Sequence, residues 1–86
     1  MALRSSKPPG PSPLLVPLGA AVKAHRREAD LTQVQLAERT GLHPTYISHI
    51  ERGAGNPSWA ALSRLCKGLG VPRWTLVKRV DELERG

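Results

Sequence analysis

Thr45, Ser48, His49 and Arg52 recur at spacings of three, one and three, so a helix through them gathers two hydroxyls, an imidazole and a guanidinium on one side. With Thr45 at 0° and about 100° per residue, Ser48, His49 and Arg52 fall near ~300°, ~40° and ~340°. Ile47, Ile50 and Glu51 fall on the opposite side, near ~200°, ~140° and ~240°, and Tyr46 sits at the boundary. The outward groups are polar and none is acidic. Such a face exchanges hydrogen bonds without repelling anions, which suits the base edges and phosphates of a nucleic-acid groove. Any solvated helix is also polar outside, so the reading depends on what surrounds this one.

What surrounds it is a second short helix and a tight turn. Thr32 is an N-cap residue, and Gln33, Gln35, Leu36, Ala37, Glu38 and Arg39 are good helix formers. Gly41 supplies the left-handed residue of a tight stop. His43 and Pro44 restart the chain, since proline has a suitable φ at the first helical position and lacks only an N–H that would go unused. The second helix runs to about Arg52 and stops at Gly53. Two short helices joined by a turn of about four residues form a helix-turn-helix over residues 32–52, a geometry that places the second helix in a DNA major groove.

The segment from about Leu18 to Leu76 resembles the Cro and phage-repressor class of helix-turn-helix domain, the xenobiotic-response-element family. The resemblance is carried by Leu31-Thr32-Gln33, Leu36-Ala37, Gly41, Tyr46-Ile47-Ser48, Ile50-Glu51-Arg52-Gly53, Asn56-Pro57-Ser58 and Leu69-Gly70-Val71, in order and at the usual gaps. It implies an all-α fold, a five-helix lambda-repressor-like bundle over residues 18–84, with sequence-specific binding to double-stranded DNA and no catalysis. The run from Tyr46 to Ser58 is similar to small controller proteins of restriction-modification systems.

The resemblance also implies roles for single residues. The family's base readers match Pro44, Thr45 and His49, and Ser48 lies on the same face. Pro44 departs from the pattern, because its side chain neither donates nor accepts a hydrogen bond; it packs on a thymine methyl or only sets the helix start. With no arginine on the central reading face, readout is expected to lean on DNA shape. Gln33, His43, Tyr46, Arg52 and Asn56 match phosphate contacts, and the Gln33 N–H at a positive helix end suits a phosphate. Arg26 matches an arginine that in several relatives pairs with the glutamate matching Glu51; the alternative is an exposed Arg26 near DNA.

A single such domain makes few base contacts, so a homodimer on two half-sites about 34 Å apart is expected. Val71, Trp74, Val77 and Val80 are the candidate interface, with Trp74 as an aromatic anchor. The alternative folds Trp74 over the domain's own core, under Leu14-Leu15. Trp59 is expected in the core or as a cover on the DNA-proximal loop. Alternative functions are a protein-interaction module or an antitoxin-like partner-binding protein of the same fold with weak DNA affinity, and, more remotely, RNA binding.

The chain of 86 residues allows one domain, which buries about 60% of its unfolded surface and leaves little room for an active-site or effector cavity. Net charge is +6; setting aside Arg4 and Lys7 leaves eleven basic against seven acidic residues, still +4, which attracts polyanions. Cys66 is alone, and His25, His43 and His49 lack the spacing of a helical metal pair, so neither metal nor cofactor is expected. Residues 1–17 hold five of the eight prolines and no acid, and read as a basic, disordered, cytoplasmic tail rather than a signal peptide. An arm using Arg4 and Lys7 to reach DNA is the functional alternative. Helix 1 is expected from Leu18 to Ala29, helix 4 from the Ser58 cap with Leu62, Leu65, Cys66 and Leu69 inward, and helix 5 from Pro72 with Leu76, Val80 and Leu83 inward. No strand or membrane span is visible.

Overall fold

The computed structural model describes residues 10–86, which form five helices in the order α1 (Val16–Glu28), α2 (Gln33–Thr40), α3 (Pro44–Glu51), α4 (Trp59–Leu69) and α5 (Arg73–Arg85). Among the described residues there is no strand. The expected disorder of the tail and the Arg4 and Lys7 arm fall, for residues 1–9, outside the described residues.

Each helix end has a local cause. Thr32 caps α2 with its hydroxyl on the Gln35 N–H at 3.0 Å, while the Gln35 carboxamide accepts from the Thr32 N–H at 2.9 Å, a reciprocal capping box. Gly41 ends α2 at φ 75°, a left-handed conformation that a side chain would strain. Ser58 caps α4 through the Ala61 N–H at 3.0 Å. Pro72 is the residue before α5 rather than its first helical position, with an extended ψ of 153°.

Helix α1 starts at Val16, two residues ahead of the expected Leu18. Pro17 lies in the first turn, where a missing N–H costs nothing. Ahead of it, Ser12 accepts the Leu15 and Val16 N–H groups through its carbonyl and donates its own N–H to the Gly53 carbonyl at 3.0 Å. That last bond ties the segment before α1 to the end of α3.

The core is built from one face of every helix. Val22, Leu36, Ile47, Ile50, Leu65 and Leu76 are fully buried. Helix α1 packs on α3 and α5, and α2 packs on α3 and α4. The approach of α1 to α3 is close at Gly19, where an added Cβ would overlap the Ile50 and Glu51 carbonyl oxygens. Leu83 is not in the core as expected but 43% exposed, because the last turns of α5 leave it at the rim of an open groove with Val16, Pro17 and Ala20.

Candidate nucleic-acid interface

Helix α3 is positioned by its start, its end and the helix behind it. At the start, the turn is held by Thr40, whose buried hydroxyl donates to the Leu36 carbonyl at 2.8 Å and accepts the Leu42 N–H at 3.2 Å. His43 then acts as the N-cap: its Nδ1 accepts the Thr45 N–H at 3.1 Å, and Pro44 follows at the first helical position. In the tautomer that accepts at Nδ1, the ring N–H is at Nε2.

At the other end, Arg52 closes the helix and Gly53 turns the chain at φ 77°. The Ala54 and Gly55 N–H groups both donate to the His49 carbonyl, at 2.9 and 3.1 Å. The loop therefore folds back along α3 before reaching Asn56 and the Ser58 cap.

The inner side of α3 carries a network that ties three helices together. Arg26 of α1 donates to Glu51 twice, Nε to Oε2 at 2.6 Å and Nη2 to Oε1 at 3.0 Å. Its Nη1 donates to the Leu31 carbonyl at 2.7 Å, fixing the α1–α2 connection. Gln33, the first residue of α2, donates through Nε2 to Glu51 Oε1 at 3.1 Å. The Glu51 side chain is only 3% exposed. The hydrogen bond from Arg26 to Glu51 pushes the guanidinium pKa above its ordinary value, against burial, so Arg26 stays charged. The one acidic group of α3 is thereby withdrawn from the outer surface.

Thr45, His49, Arg52 and Asn56 are exposed, and Ser48, Pro44 and Tyr46 are half-buried, with Tyr46 packed on the core. His43 is exposed, and Gln33 is half-buried with its amide nitrogen committed to Glu51. Sequence reasoning missed the His43 cap, although an imidazole two residues before an open N–H and just before a helix-starting proline was a usable signal. It also missed the Gln33 link, which depends on the crossing of α2 and α3 and has no local signature.

The remaining candidates lie elsewhere. Val71 and Val80 are half-buried, while Trp74 and Val77 are exposed to 67% and 48%. Trp74 does not fold back over the core. Trp59 is not in the core either: it is 65% exposed, with the Arg73 guanidinium 5.1 Å from the ring centroid. Cys66 is buried, and burial pushes its thiol pKa up. Among the described residues no three of His, Cys, Asp and Glu come together, and no helix is long and apolar enough to cross a membrane.

Comparison with known proteins places this geometry. The sequence profile described as a helix-turn-helix domain matches residues 17–77. The immunity repressor protein of Bacillus phage phi105 is 44% identical over 54 residues, 63% of this chain and 38% of the repressor. A Sinorhizobium fredii protein named as an HTH-type transcriptional regulator is 41% identical over 61 residues, 71% of this chain and 79% of its own length. The chain spans less than half the length of the phage repressor and of a Mycobacterium tuberculosis regulator that it also matches, 38% and 47%. Among solved structures, the wild-type restriction-modification controller protein C.Esp1396I superposes with a TM-score of 0.77 at 34% identity, covering 83% of this chain and 93% of that one. The fold, the withdrawn Glu51 and these matches agree: the chain belongs to the helix-turn-helix domain family of transcriptional regulators, a family of DNA-binding proteins rather than enzymes.

Proposed function

We propose that this chain is a sequence-specific transcriptional repressor that acts as a homodimer on a palindromic operator in double-stranded DNA, with α3 in the major groove. The observation that carries this reading is the outer face of α3. It is free of acid, lined by Thr45, His49 and Arg52, and locked in orientation by the Arg26–Glu51–Gln33 network. The repressor name of the phage relative supports the sign of regulation.

In this reading Thr45, Ser48 and His49 face base edges, and Pro44 contributes shape and apolar contact only. Arg52, Asn56, Tyr46 and the Nε2–H of His43 meet phosphates and fix register. Gln33 serves through its N–H at the α2 start and by bracing Glu51, since its amide nitrogen is already used. Val71, Trp74, Val77 and Val80 join the two copies.

Fluorescence anisotropy on labelled duplexes tests the roles. Arg52→Ala lowers affinity for operator and random duplex alike and reduces the salt slope by about one. His49→Ala costs ~1–3 kcal/mol on the operator and relaxes preference at one position of each half-site. Unchanged affinity in both variants means that another face docks. A second reading, a protein-interaction module of the same fold, is favoured by the exposed Trp59 and Trp74; it requires no operator, and both variants would then keep the partner bound.

A further inference from the structure

From Arg52 to Val80 the chain carries no acidic residue, while Arg52, Arg64, Lys67, Arg73, Lys78 and Arg79 are basic. Of these, only Arg79 makes an ion pair among the described residues, to Glu28 at 3.1 Å. Helix electrostatics accounts for Lys67, which lies in the last turn of α4, where the dipole favours a cation. Arg73 has the reverse placement. It is the first residue of α5, at the positive end of the helix, and Pro72 ahead of it supplies no side-chain cap.

Arg73 is nevertheless held in one place. Its guanidinium lies 5.1 Å from the centroid of the Trp59 ring, and its Nη1 donates to the Ser63 hydroxyl at 3.3 Å. Nε and Nη2 have no hydrogen-bond partner among the described residues. Trp59 itself is mostly exposed, so ring and guanidinium together present an apolar plane beside unused cationic donors.

The pair stands next to the proposed docking face. Ala54 and Gly55 fold the loop back onto α3, Asn56 follows, and Trp59 comes three residues later, after the Ser58 cap. Three residues span at most ~11 Å, and phosphates of one strand succeed one another every ~3.4 Å along the duplex axis. Trp59 is therefore within a few nucleotides of any phosphate that Asn56 meets.

We propose that Trp59 and Arg73 act as one unit that grips the DNA backbone outside the helix-turn-helix. The ring lies against a deoxyribose, and Nε and Nη2 of Arg73 donate to the adjoining phosphate. The inference rests on the docking of α3 and adds to it a contact that α4 and α5 supply. The stack holds the guanidinium in place before DNA arrives, so little side-chain freedom is lost on binding. Such a contact carries no base information and serves to fix register.

Trp59 and Trp74 are the two tryptophans of the chain, so in full-length Trp74→Phe the emission reports on Trp59 alone. This variant is titrated with a short random-sequence duplex at about 50 mM salt, since backbone contacts need no operator. Trp59 emission is expected to be quenched in step with the rise in duplex anisotropy. Arg73→Gln lowers the slope of log K against log salt by ~0.9, whereas Lys78→Gln, which removes the same charge elsewhere on α5, leaves it unchanged. Circular dichroism checks that each variant folds; a pair with only a structural role would lower the melting temperature and move neither readout. The unit stands only if both readouts change. Duplex binding that leaves either one unchanged overturns it and keeps the α3 docking. Trp59 emission that shifts with protein concentration in the absence of DNA, and no further on adding duplex, assigns the pair to a protein contact and also overturns it. A wild-type chain that does not bind the duplex overturns both readings.

Discussion

Glu51 presents a physical problem at the residue scale: a carboxylate on the helix assigned to a polyanion, with its side chain almost wholly out of water. The problem is resolved by two bonds from Arg26 and one from Gln33, which hold the charge inward. A buried pair of this kind adds little net stability over an apolar pair, but losing one partner strands the other. Glu51→Ala is expected to cost ~3–5 kcal/mol in urea unfolding, and Arg26→Met/Glu51→Leu to recover most of that. An equal loss in the single and double variants would contradict the account. His25 carries a different burden. It is buried on α1, and its Nε2 has no hydrogen-bond partner among the described residues. Burial and then Arg79 lower its pKa from 6.5, with Glu28 opposing. The unfolded chain therefore takes up a proton near 6.5 that the folded chain refuses until lower pH. Stability is full above 6.5 and falls as pH drops through the depressed folded value. Unfolding measured from pH 7.5 downwards should show this slope reduced in His25→Gln; an unchanged slope assigns it to other groups. Of these residue-scale features, the Arg26–Glu51 pairing was legible through the family resemblance. The orphaned His25 was not, because one histidine on an amphipathic helix says nothing about which neighbour covers it.

Element by element, the short-range signals read well and the long-range ones did not. Thr32, Gly41, Pro44, Ser58 and Gly70 mark helix ends by chemistry that acts within four residues, and the helices start and stop at them. The start of α1 was misplaced because Pro17 reads as a breaker, whereas in a first turn it is tolerated. Leu83 follows the apolar spacing of α5 but lies past the elements that could cover it. Gly19 looks like an ordinary helix-weakening glycine, and only the packing of α1 on the α3 carbonyls explains it. Gly19→Ala raises helix propensity yet is expected to destabilise by ~1–3 kcal/mol, since α1 must move off α3. Gly10→Ala, with nothing within 4 Å of the added carbon, serves as the neutral control. Thermal unfolding separates the two, and a stabilised Gly19→Ala would mean that α1 adjusts freely.

Across the whole molecule, the helices divide the labour. Helix α3 presents the outer face, α1 and α2 hold it through Glu51, and α4 and α5 carry the exposed tryptophans. The family and the helix-turn-helix that carries the proposed docking face were legible because they depend on a contiguous stretch from Thr32 to Ser58. The surface around Trp59, Arg73 and Trp74 was legible only in part, because exposure of an aromatic is decided by elements far apart in sequence; of the two places expected for Trp59, the core and a cover on the loop, its exposure rules out the core. The central claim is that two copies present α3 to successive major grooves. Selection of binding sites from random duplex DNA by the purified protein, at about 150 mM salt where non-specific binding is weak, tests it most directly. The account predicts enrichment of inverted half-sites centred one helical turn, about 34 Å, apart, with preference relaxed at one position of each half-site in His49→Ala. Recovery of sequences with no shared half-site, bound only through a salt-sensitive background, would contradict it.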